Sequence, residues 1–403
     1  MKTKSLLTPI VLTVSFVSLF TDIASEMLYP VMPVYLQSIG FSVVLIGILE
    51  GVAEATAGLS KGYFGHMSDR IGRRVPFIKW GYGLSAVSKP MMAAFAFPLW
   101  IFLARTLDRL GKGVRTSARD AMLSDESTPE TRGKVFGFHR ALDTTGAAIG
   151  PFLALTFLAI WPGKYQYLFI LAFLPGIIAL LLTQFLKENK IQSKPATPYS
   201  KKFFSYLTYW KTAPKEYKHI VAGLLIFTFF NSSDAFLLLY TKIQLHSDIS
   251  MIGFYIFYNV VYAAAAFPLG VLADKIGLKT ILIAGLIVFV IVYFFFGFAS
   301  NLNHFVILFF AYALYAAATE GVSKALISNV SKKSDTATAI GFYTSFASVF
   351  ALLASSLAGF VWYTWSAKTM FIASAAGVSL SIIVLLFYTL NNKMGNPMFR
   401  EKL

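Results

Sequence analysis

Apolar stretches of about 20 residues, enough for a helix to cross a hydrocarbon layer roughly 30 Å thick, follow one another along this chain with short polar breaks. Twelve are predicted as spans, near 9–38, 43–65, 76–97, 99–119, 134–160, 165–186, 219–241, 250–273, 280–299, 303–328, 337–361 and 367–390. The first is too long for a secretory signal, lacks a small-residue cleavage site and leads into further spans, so it is expected to be retained. The pattern predicts an all-α membrane protein: a six-helix bundle over 1–186, a central linker over 187–218, a second six-helix bundle over 219–391 and a tail over 392–403.

The polar breaks differ in charge from side to side. One side collects Lys2, Lys4, Arg70, Arg73, Arg74, Arg119, Arg132, Lys134, the linker lysines, Lys275, Lys279, Lys332, Lys333, Lys393, Arg400 and Lys402. The other holds Lys164, Lys242 and Lys368. Positive charge marks the cytoplasmic side, so both termini are expected there, in a plasma or inner membrane. Within the linker, Phe203 to Leu207 reads equally as plain connection or as a short helix on the inner leaflet, where lysines meet anionic lipid.

Composition agrees with this picture and removes alternatives. The chain of 403 residues is 57% apolar and 13% charged, with net charge +16. Its bases sit in short loops rather than on a soluble face, which argues against a nucleic-acid partner. There is no cysteine, so disulfides and thiolate chemistry are excluded. The histidines His66, His139, His219, His246 and His304 are scattered without metal-ligand spacing and are expected at surfaces or interfaces. Neither a metal nor another cofactor is predicted, and no nucleophile–base pair suggests an enzyme.

One polar break is unusually specific. Gly65 is followed by Asp69-Arg70-Ile71-Gly72-Arg73-Arg74 between two apolar runs, a pattern for a tight hinge with a capping acid and retaining arginines. A weaker copy, Gly270 followed by Asp274-Lys275-Ile276-Gly277-Leu278-Lys279, appears about 205 residues later. The chain therefore looks like two related halves.

Twelve spans in two halves, a basic central linker and this loop after span 2 resemble the major facilitator superfamily along essentially the whole chain. The resemblance implies that the loop acid contacts spans 4 and 11 and, with Arg70 and Arg73, stabilises an outward-facing state. Span 5 is similar to that family's antiporter pattern through Gly137, Gly146, Gly150 and Pro151, but Ala154 and Leu155 stand where a glycine pair is usual. Physically, small residues four apart allow close packing and a proline weakens the helix. Arg105 is the best match for the family's span 4 arginine of the proton relay, although Gly111 and Gly113 fall two positions late.

Ionisable residues also lie deep in the apolar slab, where each costs about 2.5–3.5 kcal/mol unless it faces a cavity or a partner. Asp22 and Glu26 are one turn apart on span 1, and Glu50 and Glu54 repeat that spacing on span 2. Span 4 carries Arg105, Arg109 and Lys112 on one stripe beside Asp108 and Arg115. Span 5 adds Arg140 and Asp143, and span 3 adds Lys89. Near balance of acids and bases predicts a paired network in which a carboxylate exchanges a proton for a ligand. Asp22, Glu26, Arg105, Arg109, Asp108 and Asp143 are the expected proton-coupling set, with Asp22 and Glu26 as carriers. The bland alternative is that pairs such as Asp108 with Lys112 merely hold helices together.

Glu50, Glu54, Lys89, Lys112, Arg140, Asp234, Tyr258 and Tyr262 are expected at the solute. In the sparser second half, Glu320 and Lys324 read as a self-satisfied pair, and the remaining aromatics suit an amphipathic solute. The sequence thus predicts a monomeric, proton-coupled carrier that exports a small organic solute in exchange for protons, and the basic stripe of span 4 suits an anionic one. Transport of an organic acid or carboxylate-type siderophore, inward or outward, is the alternative.

Overall fold

The computed structural model describes residues 7–29, 31–188 and 203–394, all of them helical or in short connections. Span 1 is broken into α1 (Pro9–Glu26) and α2 (Met32–Ser38). It is followed by α3 (Val43–Ile71), α4 (Val75–Ala94), α5 (Pro98–Asp125), α6 (Arg132–Ile160) and α7 (Tyr165–Leu182). After the linker come a 3-10 turn (Phe203–Thr208) and α8 (Tyr209–Thr212). The second half comprises span 7 as α9 (Lys215–Phe230) and α10 (Asp234–Leu245), then α11 (Asp248–Ile276), α12 (Leu278–Phe296), α13 (Leu302–Val330), α14 (Thr336–Thr364) and α15 (Ala367–Met394). The chain is thus an all-α membrane protein of twelve spans in two bundles. Among the described residues, nine helical segments are apolar enough to qualify as spans by composition alone. The others, α3, α4 and α5, match them in length but carry much of the buried charge.

The breaks in spans 1 and 7 fall at corresponding places in the two halves. In span 7 the cause is local. Asn231, Ser232 and Ser233 compete with the helix for backbone hydrogen bonds, and the Ser233 hydroxyl restarts it by accepting from the Ala235 amide.

Helix ends differ from the sequence reading in one instructive way. The helix of span 2 runs through Asp69 and Arg70 to Ile71, so Gly65 and the acid are helical and the turn is confined to Gly72, Arg73 and Arg74. Gly72 closes α3 with φ of 70°, a left-handed conformation natural to glycine. In the second copy Gly277, at φ of 104°, makes the corresponding turn after α11. We call the side bearing these turns the loop end.

Two seams join the halves, and both are tight near the loop end. In one, α3 meets α14: a Cβ added at Gly65 would lie 2.5 Å from the Ala337 carbonyl oxygen, and the Gly62 amide donates to the Ser345 hydroxyl at 2.9 Å. In the other, α6 meets α11: a Cβ at Gly137 would lie 2.6 Å from the Ala266 oxygen. Farther toward the opposite end, Gly51 and Gly253 meet nothing within 4 Å. The tightest glycine contacts of both seams thus gather toward the loop end.

The glycines of span 5 serve both faces of α6. Gly137 lets it approach α11, whereas Gly146 and Gly150 lie against α1, where added Cβ atoms would meet the Leu19 oxygen at 2.5 Å and the Ile23 oxygen at 2.8 Å. Pro151 is buried within the same helix. The linker segment that follows the undescribed residues is helical. It docks over the α3–α14 seam, with Phe203 stacked on Tyr63 and Trp210 stacked on Phe342.

Candidate functional site

Between the halves lies a cavity of about 360 Å³. From the first half α1, α3, α5 and α6 contribute Asp22, Glu26, Lys61, Lys112, Arg115, Arg119, Arg140 and Asp143. The second half contributes Asp234, Tyr255, Tyr258, Tyr262, Glu320 and Lys324. One wall is therefore rich in ionisable side chains and the other is largely tyrosine.

Several of these charges are paired across the cavity. Arg140 donates to Asp143 at 2.6 Å and to the Tyr262 hydroxyl at 2.6 Å, and also grips Glu320 of α13. Arg119 holds Asp120 at 3.0 Å and reaches Asp143 at 3.8 Å, while Lys324 of α13 meets Asp120 from the other half at 2.7 Å. Ser18 donates to Asp143 at 2.5 Å. In the second half Tyr312 donates to Asp234 at 2.5 Å.

Six lining groups have no countercharge within ion-pair distance among the described residues; of these, Arg115 donates to the Ser85 hydroxyl at 2.6 Å and Asp234 accepts from Tyr312. The Asp22 side chain meets the carboxyl of Asp143, and Glu26 accepts only from the Tyr255 hydroxyl at 3.4 Å. Lys61 and Lys112 make neither an ion pair nor a side-chain hydrogen bond. Asp22 and Glu26 thus share one space with Lys61 and Lys112 without forming ion pairs.

The structure separates other predicted residues from this cavity. Lys89 binds Asp108 at 2.6 Å, with Arg105 at 3.7 Å from the same carboxylate, and all three are buried inside the first bundle. Asp108 therefore pairs with Lys89 of α4 and not with Lys112, because the neighbouring helix offers a closer, drier partner than the next turn does. Arg105, Asp108 and Lys89 do not line the cavity. Arg109 pairs with Glu54 at 3.1 Å. The Glu50 side chain lies outside the described residues.

Three further expectations are corrected. Glu320 and Lys324 do not satisfy each other; each reaches across to the first half, to Arg140 and Asp120. Arg119 and Arg132, assigned to solvent loops, are buried, since α5 continues to Asp125 and Arg132 donates to Asn329 of α13. His139, expected at a surface or an interface, is buried beside this network, and neither ring nitrogen has a hydrogen-bond partner. Sequence reasoning missed Asp120 and Lys61 altogether. The signals were there: Lys61 falls two turns beyond Glu54, and the stripe of Asp108, Lys112, Arg115 and Arg119 runs to the predicted end of span 4, next to Asp120.

At the loop end, Asp69 caps the start of α14, accepting from the amide of Thr338 at 2.6 Å and from its hydroxyl at 2.6 Å. Asp69 also pairs with Arg74 at 2.5 Å, and Arg74 reaches Asp125 at the end of α5 at 3.5 Å. Arg74, fully buried, is therefore the arginine that ties this acid to span 4, whereas Arg70 and Arg73 are exposed. The second copy repeats the device. Asp274 accepts from the amides of Gly133 and Lys134 at 2.7 and 2.9 Å, capping α6 as Asp69 caps α14. An acid at a helix N-terminus satisfies unpaired amides and opposes the helix dipole, so each half clips the other.

Asp125 supplies a pH response. Burial, reinforced by the nearby Asp69 charge and opposed by Arg74, raises its pKa to about 6. The folded chain then keeps a proton that an unfolded chain releases near pH 4, so stability falls as pH rises from about 4 to about 6. Thermal melting across that window should show the decline, and Asp125→Asn should flatten it.

Comparison with known proteins follows the same lines. The family model described as Major Facilitator Superfamily matches residues 14–258 and 220–402. A protein of Methanocaldococcus jannaschii described as an uncharacterized MFS-type transporter is 32% identical over 378 residues, covering 92% of this chain and 93% of its own. A multi-drug resistance efflux pump PmrA homolog of Lactococcus lactis is 25% identical over 395 residues, covering 93% and 92%. The crystal structure of the human organic anion transporter MFSD10 superposes with a TM-score of 0.79 at 17% identity, covering 93% of this chain and 98% of that one.

Proposed function

The chain belongs to the Major Facilitator Superfamily, and from that footing we propose that it is a proton-coupled carrier of a small organic anion that works by alternating access. The observation that carries this reading is the set of unpaired groups in the cavity, Asp22 and Glu26 beside Lys61 and Lys112. The loop end is taken as cytoplasmic from its positive charge. The closed seams there then correspond to an outward-open form, in which the Asp69 and Asp274 caps act as clips that must release before the cavity opens inward.

Electrostatics favours co-transport. Ionised Asp22 and Glu26 lie within electrostatic reach of Lys112 and compete with an incoming anion for it. Protonating them removes that competition, so proton and anion bind together. Exchange of solute for protons is the second reading, supported by the span 5 glycines and by the efflux name of the Lactococcus relative. The packing role of Gly137, Gly146 and Gly150 explains those glycines without reference to direction.

The test uses purified protein in sealed liposomes with an entrapped pH dye. Adding an anionic solute outside should acidify the lumen if proton and anion travel together. Alkalinisation would establish exchange instead, and no pH change with any organic anion would overturn the proposal.

A further inference from the structure

A second cavity, of about 290 Å³, opens off the first and shares Lys61, Glu320, Lys324 and Thr344 with it. It is a side alcove within the second half, between α9, α13 and α14, and Lys61 of α3 stands over its mouth. Its walls differ from those of the central cavity. Leu224, Phe227, Tyr315, Tyr343, Ala347 and Ala351 make them mostly apolar and aromatic, whereas the trunk is rich in ionisable groups.

The charges at the junction are unequal. Lys324 is neutralised by Asp120 and Glu320 by Arg140, which leaves Lys61 as the shared basic group without a countercharge among the described residues. Lys112 is near enough to act on it electrostatically. Two like charges facing one low-dielectric space raise each other's cost, and a single anion between them lowers both. Beside that point lies a recess lined mostly by apolar and aromatic side chains, sized for an aryl group or a short alkyl chain, not for a second charge.

Resting on the anion-carrier reading above, we infer that the solute is an elongated anionic amphiphile whose acid head sits between Lys61 and Lys112 and whose apolar tail enters the alcove. Tyr315 and Tyr343 then select for the tail, and the residue at position 347 sets how long it can be. A compact hydrophilic acid uses the lysines alone and forfeits the alcove, so affinity rises with tail length until the recess is full.

The experiment is thermal stabilisation of the full chain in lipid nanodiscs by acetate, hexanoate, 4-phenylbutyrate and the neutral 4-phenylbutanol. The wild type should bind 4-phenylbutyrate at least tenfold more tightly than acetate and more tightly than the alcohol. Lys61→Gln should remove the preference for acid over alcohol. Ala347→Trp, which fills the alcove, should bring 4-phenylbutyrate down to the level of acetate. The wild-type series needs no variant, so misfolding of either one leaves the inference testable: equal affinity for all three acids overturns it while leaving anion transport standing. An undiminished 4-phenylbutyrate preference in folded Ala347→Trp overturns the alcove as the tail site. Failure of every acid to bind overturns this inference and, joined to an absent pH change in liposomes, the carrier reading as well.

Discussion

Replacing Asp120 by Asn is expected to part the two halves at the loop end. Asp120 is fully buried on α5, held by Arg119 on its own helix and by Lys324 from α13. Removing its charge leaves two cations facing each other with little water, and breaking a buried pair in this way costs on the order of 3 kcal/mol. The Asp120–Lys324 contact exists only while the halves are together at this end, so the cost falls on that conformer. At about 1.4 kcal/mol per tenfold change, the balance should shift by roughly a hundredfold toward the form open at the loop end. Spin labels at Arg73→Cys and Lys333→Cys, exposed on opposite halves, will read the change, and the absence of native cysteine keeps the labelling clean. A distance distribution unchanged by Asp120→Asn would show that this pair does not hold the closed seam.

The second large effect is expected from Asp22→Asn combined with Glu26→Gln. Both carboxyls line the cavity, and neither has a cation within ion-pair distance, so each is poised to be neutralised by a proton instead. The amides keep shape and polarity but mimic the protonated acids permanently. Proton movement driven by an anionic solute should fall at least tenfold, while anion binding persists and loses its dependence on pH. A structural role for these acids predicts the reverse split, with binding and stability lost together. The measurements are lumen pH in liposomes and binding at pH 5.5 and 7.5.

Much of this architecture was legible because hydropathy and helical spacing are local properties. The twelve spans, the two loop copies and the common face of Asp22 and Glu26 all follow from them. The correspondence between halves was legible too, since Asp69 and Asp274 sit at matching turns. What local spacing cannot supply is the identity of the opposing helix. Asp108 and Lys112 are one turn apart, yet Asp108 pairs with Lys89 from α4. Glu320 and Lys324 repeat that spacing, yet both bind residues of the first half.

The ends of charged helices were misjudged for a related reason. Arg119 and Asp120 look like loop residues by hydropathy, but ion pairs across the seam satisfy them and allow α5 to continue to Asp125. Within the Asp69 loop, sequence alone did not distinguish Arg74, which is buried against the acid, from Arg70 and Arg73, which face outward. Burial depends on which way the chain leaves Gly72, and that is a tertiary choice.

Alternation itself is tested by placing one cysteine at Ala147, which lines the cavity, in this otherwise cysteine-free chain. With oriented vesicles and membrane-impermeant thiol reagents, Ala147→Cys should react from the side opposite the loop end. Adding Asp120→Asn should transfer that reactivity to the loop side. Simultaneous reaction from both sides, or from neither in both backgrounds, would contradict a cavity that opens to one face at a time.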